Sequence, residues 1–365
     1  MHIYDYLFAG VIIIALLLGS TVMMAMLSSP ALNASDKDLL KIASEKIMTQ
    51  MLLDPGYPYN WGSDNVTLKV FGLARYGETS REAYLLDPDK VLRLNSTLEG
   101  ISSYYFPASA ASSLPEFENY TALSLLNLGK DYGFTLEFNE TLKVSVNQMG
   151  GMTDIYSISV ASDYALPMMG ANVSATLYYV NSSSSLIEHF GPKYSATIYD
   201  GSCILNFSES STEEAKVLAV GVDYYGVHTA KLYGSVGTSV LNATLFGSTL
   251  IPSSSQPYNI TNGADSREIT LLQTNLGYET IDFEVENSGT PTNFTLNSTP
   301  EPSTSAILAV SENNKLLVGS RDFSMISYRT IPAIRSAPLA YSIERTVLIG
   351  GVTFTATLYF WRMSS

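Results

Sequence analysis

At 365 residues the chain is longer than one ordinary domain, with length for two or three cores beside an N-terminal apolar segment. Charged residues are only 15% of it while Ser and Thr make up roughly a fifth, so the polar surface consists largely of hydroxyls and amides, unlike that of a typical cytosolic protein. A net charge of −14 from scattered acids argues against nucleic acid and anionic headgroups as partners, and the single cysteine excludes an intrachain disulfide.

No charged residue occurs between Tyr6 and Ser35. The apolar part, Leu7 to Leu27, would span roughly 31 Å as a helix, which matches a bilayer core. A cleavable signal has a basic start and a shorter apolar run, whereas this run follows Met-His-Ile-Tyr-Asp, so the expectation is a retained anchor. Neither flank is rich in Lys or Arg, and the orientation comes instead from sequons. Asn-x-Ser/Thr occurs at Asn33, Asn65, Asn95, Asn119, Asn139, Asn172, Asn181, Asn206, Asn242, Asn259, Asn293 and Asn297, which is 12 of the 20 asparagines. Chance at this composition gives about four, and the excess implies N-glycosylation and a chain that faces outward after Leu27.

Ser35 followed by Asp38 resembles a capping box, and Leu40, Ala43, Ile47 and Met51 recur at helical spacing up to Asp54-Pro55-Gly56. This predicts a short amphipathic helix that packs its stripe into the following core, with a seat in a subunit interface as the alternative. Trp61 and the Pro55-Gly56 turn read as a packed corner, and Asp87, Asp89 and Lys90 as a helix start. The stretches Leu53-Asp54-Pro55-Gly56-Tyr57-Pro58, Trp61-Gly62, Phe71-Gly72-Leu73-Ala74 and Leu86-Asp87-Pro88-Asp89-Lys90-Val91 resemble the head of archaeal membrane-anchored pilin-like surface proteins. Tyr120 to Phe138, with Asp131-Tyr132-Gly133-Phe134, extends the resemblance over roughly the first 140 residues. It does not extend to a pilin processing site, because no Lys or Arg lies near Ala9-Gly10. A disulfide-free exterior agrees with a prokaryotic envelope.

After Gly133 the period becomes two. Leu142, Val144 and Val146 alternate with polar residues, as do Tyr156-Ile158-Val160, Val173-Ala175-Leu177-Tyr179 and Val217 to Val222. Turn signals fall at Met149-Gly150-Gly151, Asn181 to Ser185, Asp200-Gly201 and Tyr225-Gly226. Cys203, Leu205 and Phe207 share one strand face, which makes Cys203 a buried small hydrophobe. Leu166-Pro167 with Gly170-Ala171-Asn172-Val173, Tyr199-Asp200-Gly201 leading to Leu205-Asn206-Phe207, and Leu218 to Tyr225-Gly226 resemble the immunoglobulin-like modules of prokaryotic surface proteins. That resemblance implies a spacer or adhesion module.

Ile251 to Gly263 reads as a linker or long surface loop. Strands are expected at Glu268 to Leu272, Thr280 to Val285, Ala306 to Val310, Lys315 to Val318, Tyr341 to Leu348 and Val352 to Trp361. Asn287 to Ser305 is expected to be an exposed connection, and the last strand, whose three threonines alternate with apolar residues, to be half buried. The expected organisation is mainly β: a transmembrane anchor over 1–34, a small α+β domain over 35–140, an immunoglobulin-like β-sandwich over 141–234 and a β-rich domain over 235–365.

His2, His189 and His228 have no ligand-spaced neighbours, and no nucleophile elbow, phosphate loop or paired-cysteine motif occurs. Glu209, Glu213 and Glu214 read as a solvated turn rather than a catalytic pair. The 24 tyrosines fit strand propensity, with a glycan-stacking surface as the competing use. No catalytic residue, metal or cofactor is expected. The partners expected are membrane lipid through Leu7 to Leu27 and other envelope proteins or further copies of the chain. The alternative is a ligand-binding accessory subunit of a membrane complex that captures a glycan or peptide.

Overall fold

The computed structural model describes residues 37–63, 66, 68–77, 84–94, 125–128, 132–149, 154–181, 183–207, 215–234, 239–252, 269–273, 278–281, 285–287, 294–296, 299–302, 304–310, 314–321, 323, 326–329 and 340–362. The expected anchor at Leu7 to Leu27 lies outside them, and no helix among the described residues is long and apolar enough to cross a membrane.

Residues 37–53 form helix α1. Leu40, Ile47 and Met51 are buried as the periodicity requires, joined by Ser44, Met48 and Leu52. The corner that follows is closed by Trp61, whose indole N–H donates to the Gly72 carbonyl at 3.0 Å. Gly56 has φ +72° and its N–H donates to the Asp54 carboxylate at 2.7 Å. A Cβ on Gly72 would lie 2.1 Å from the Asp54 carbonyl oxygen, so only glycine fits between these backbones. Strand β1 (Leu85–Leu86) and helix α2 (Pro88–Leu92) follow, and Asp87 caps α2 by accepting from the N–H groups of Asp89 and Lys90, with Pro88 in the first turn.

The chain then runs through β2 (Tyr132–Glu140), β3 (Leu142–Met149), β4 (Ile155–Ser162), β5 (Asn172–Asn181), β6 (Leu186–Ala196), β7 (Ser202–Asn206), β8 (Lys216–Tyr224) and β9 (Val227–Gly234). Strands β3, β4 and β7 form one sheet, and β6, β5, β8 and β9 form another. The two sheets face each other across a core that includes Val144, Ile158, Val173, Leu177, Cys203, Leu205, Phe207 and Val220. Alternation put these residues on one face, and burial of that face is what holds the two sheets together. Cys203 lies inside as expected, and burial pushes its thiol pKa up.

Beyond them lie β10 (Val240–Phe246), β11 (Thr249–Pro252), β12 (Ile269–Gln273), β13 (Tyr278–Ile281), β14 (Val285–Asn287), β15 (Phe294–Leu296), β16 (Thr304–Val310) and β17 (Leu316–Ser320). They make a sheet in the order β13-β12-β16-β17-β10-β11-β15-β14. Its Ala306, Leu308, Val318 face packs on Tyr178, Val180 and Val217 from the back of the four-stranded sheet, stacking three β layers. Two expectations change here. The strand expected over Thr280 to Val285 is divided between β13 and β14. The span Asn287 to Ser305 is not simply an exposed connection: β15 lies within it, paired with β11 and β14, and Leu296 is buried. Its prolines and glycines hid a short apolar pairing segment.

The last strands, β18 (Ile326–Arg329), β19 (Ala340–Ile349) and β20 (Val352–Arg362), return to the start of the molecule. The five-stranded order is β1-β19-β20-β2-β18, with Phe134 opposite Phe360 and Leu136 opposite Leu358. Helix α1, Trp61 and α2 share one core with this sheet. Hydrogen bonding therefore crosses the expected boundaries, since β2 precedes residue 141 and its partner β20 lies within 235–365. Strand β20 is also covered on both faces rather than one. Thr353 and Thr357 are buried, and the Thr353 hydroxyl accepts from the His228 N–H of β9 at 3.1 Å.

Candidate functional site

Five sequon asparagines fall among the described residues, and each reaches the surface: Asn139, Asn172, Asn206 and Asn242 are exposed and Asn181 is half buried. Asn139 lies on β2, Asn172 and Asn181 at the two ends of β5, Asn206 at the end of β7, and Asn242 on β10. They therefore occupy all four sheets. Strand alternation explains this placement, because each neighbours an inward apolar residue such as Phe138, Val173, Leu205 or Leu241. Asn33, Asn65, Asn95, Asn119, Asn259, Asn293 and Asn297 lie outside the described residues.

Asn181 differs from the other four. Its Nδ2 donates to the Glu188 carboxylate at 2.7 Å, its Oδ1 accepts from the Ser183 N–H at 3.0 Å, and the Tyr179 hydroxyl donates to the same carboxylate at 2.5 Å. These bonds, Tyr179 first, hold Glu188 below the usual glutamate range.

A buried polar joint links the first hundred residues to the long sheet, and sequence reading found only part of it. The Lys90 ammonium is fully buried and donates to the carbonyls of Pro55 at 2.9 Å and Ala74 at 3.0 Å, with Asp87 at 3.8 Å. The Asp89 carboxylate accepts from the Gly247 N–H at 3.1 Å and lies 3.5 Å from the buried Arg321 guanidinium. Arg321 also donates to the carbonyls of Glu301 and Thr304. Burial pushes Asp87 above the usual aspartate range, helped by the Asp89 charge, and burial pushes Lys90 below the usual lysine range. With Lys90 and Arg321 closed to solvent, the joint ties these chain segments together. The aspartates and Lys90 were legible as a helix start, but nothing local predicted the arrival of Arg321.

Among the described residues, the titratable groups singled out from sequence do not converge. His228 Nδ1 lies 2.8 Å from Asp223 Oδ2 in an open hairpin, His189 packs beside Tyr178, and Glu209, Glu213 and Glu214 lie outside the described residues. Among the described residues no three His, Cys, Asp or Glu side chains group as a metal site. Exposed apolar groups do cluster. Tyr59 and Tyr76 stack at 4.0 Å with Tyr57 edge-on, and the β4–β5 and β6–β7 loops expose Tyr164, Leu166, Met169, Ile198 and Tyr199. No family model matches the chain, and no curated protein matches it in sequence.

Proposed function

We propose that the chain is a non-enzymatic, single-pass, N-glycosylated protein of the cell surface, of the archaeal pilin-like kind its first 140 residues resemble, whose work is assembly or adhesion. The observation that carries the reading is the solvent access of all five described sequon asparagines, spread over four sheets. Twelve sequons in a mainly β exterior with no disulfide fit a glycan-coated envelope protein anchored by Leu7 to Leu27. The three-plus-four arrangement over Leu142 to Gly234 supports an immunoglobulin-like spacer, the architecture common in surface adhesion modules.

A second reading, capture of a glycan or peptide for a membrane complex, is favoured by the Tyr57, Tyr59 and Tyr76 cluster, because exposed aromatic faces stack on sugars. Purification from native membranes in mild detergent, followed by electron microscopy and mass spectrometry, separates the two. Sheets or filaments support assembly. A fixed complex of different subunits supports capture.

A further inference from the structure

Two exposed apolar surfaces of this chain are unlike each other. The first is the tip of the sandwich, where Tyr164, Leu166, Met169, Ile198 and Tyr199 are 78%, 62%, 65%, 53% and 80% exposed. The loops that carry them are tied together by the buried Thr197. Its hydroxyl donates to the Met168 carbonyl and accepts from the Ala171 N–H at 2.9 Å, while its carbonyl accepts from the Gly170 N–H at 2.9 Å. The apolar groups are thus presented on a fixed frame, which lowers the ordering cost of contact. Two carboxylates flank them: Asp163 caps the Tyr164 N–H at 2.9 Å and Asp200 caps the Ser202 N–H at 2.9 Å, with Lys143 bonded to the Asp163 carbonyl below.

The second surface is the outward ridge of α1, where Leu39, Ile42 and Leu53 are 62%, 63% and 45% exposed at helical spacing. Lys46 lies between Ile42 and Leu53 on that ridge, with Lys37 and Lys41 on its flank beside Asp38 and Glu45, so this face is net positive on a chain of net −14. We propose that the sandwich tip of one copy seats on the α1 ridge of a second copy, so that the chain associates head to tail. The fit is chemical: apolar side chains meet apolar side chains, and the faces of Tyr164 and Tyr199 and the carboxylates of Asp163 and Asp200 meet the lysines. Pairing tip with tip would bring together two faces that each carry Asp163 and Asp200, and pairing ridge with ridge would bring together two net-positive faces. Like charges thus disfavour both symmetric alternatives. A contact between two different patches leaves one of each free in every pair and so propagates into rings or filaments. The inference rests on the assembly reading above and names its contact.

The test uses the full chain in mild detergent, with sedimentation measured against concentration for wild type, Tyr199→Asp, Ile42→Asp and an equimolar mixture of the two variants. Both sites are exposed, and retained burial of Trp61 and Trp361, read by fluorescence, verifies folding. Wild type is expected to form a concentration-dependent series, and each variant alone to associate at least about tenfold more weakly, as loss of a central interface anchor does. The mixture should form one-to-one pairs and nothing larger, because the Ile42→Asp copy lends its intact tip to the ridge of the Tyr199→Asp copy. A mixture no more associated than its parts overturns the proposal, as does undiminished association of Ile42→Asp alone, which would mean tip-to-tip contact. A wild type that is monomeric yet glycosylated refutes this contact and leaves the surface-glycoprotein reading standing.

Discussion

Replacing Lys90 by Met keeps most of the buried aliphatic stem and removes only the ammonium. The wild-type side chain gives two hydrogen bonds, 2.9 Å to Pro55 and 3.0 Å to Ala74, and bonds from a charged donor contribute about 1.5–3 kcal/mol each. Against this stands the desolvation of a buried cation, which costs several kcal/mol and is relieved in the variant. What remains is two carbonyls deprived of a donor and Asp87 without its 3.8 Å counter-charge, for an expected net loss of about 1–3 kcal/mol. Urea unfolding of the full chain in detergent, followed by the fluorescence of Trp61 and Trp361, reads it directly, because these are the two tryptophans and both are buried. The sign with pH is fixed as well. Burial lowers the Lys90 pKa in the folded state, so between that value and 10.5 the unfolded chain binds more protons, and wild-type stability relative to Lys90→Met rises with pH. A Lys90→Met chain as stable as wild type at pH 7, or a gap that narrows on going alkaline, would refute the reasoning.

Asp87 titrates with the opposite sense. Its folded pKa is raised by burial above 3.8, so its contribution is complete below that pH and is lost as pH rises through the folded value; wild type should lose stability relative to Asp87→Asn between acid and neutral pH, measured by the same unfolding curves. Thr197→Val keeps the side-chain shape but deprives the Ala171 N–H of its acceptor, for an expected cost of about 1–3 kcal/mol and faster amide exchange at Ala171. Gly72→Ala places a methyl group 2.1 Å from the Asp54 carbonyl oxygen and 2.7 Å from the Gly56 nitrogen, both backbone atoms, so a loss of at least about 2 kcal/mol is expected by thermal or chemical unfolding.

The parts of the fold that were legible are those set by local period. Alternation at Leu142-Val144-Val146 and at Tyr156-Ile158-Val160 gave two strands and their buried faces, and Cys203, Leu205 and Phe207 fell inward as the same rule demands. Pairing partners were not legible, because no local pattern tells Tyr132–Glu140 that its neighbour is Val352–Arg362 at the far end of the chain. Strand β6 was hidden by Gly191-Pro192 in its middle, which suits an edge strand where the missing N–H faces no partner. Of the sandwich tip, Leu166-Pro167 and Tyr199-Asp200-Gly201 were legible as distinctive segments. Their adjacency comes from the register that sets Asn172 opposite Ala196 and from the Thr197 bonds between the loops. The same holds for the buried joint, where Asp87 and Asp89 could be read as a helix start while Arg321 follows directly after β17, 232 residues beyond Asp89.

Protease treatment of intact cells, followed by mass spectrometry of the released peptides, tests the surface-glycoprotein claim most directly. The account predicts release of peptides from the sandwich and the long sheet, with those containing Asn139, Asn172, Asn206 and Asn242 carrying glycan mass. Full protection of these segments in intact cells, with the same four asparagines recovered unmodified after lysis, would contradict it.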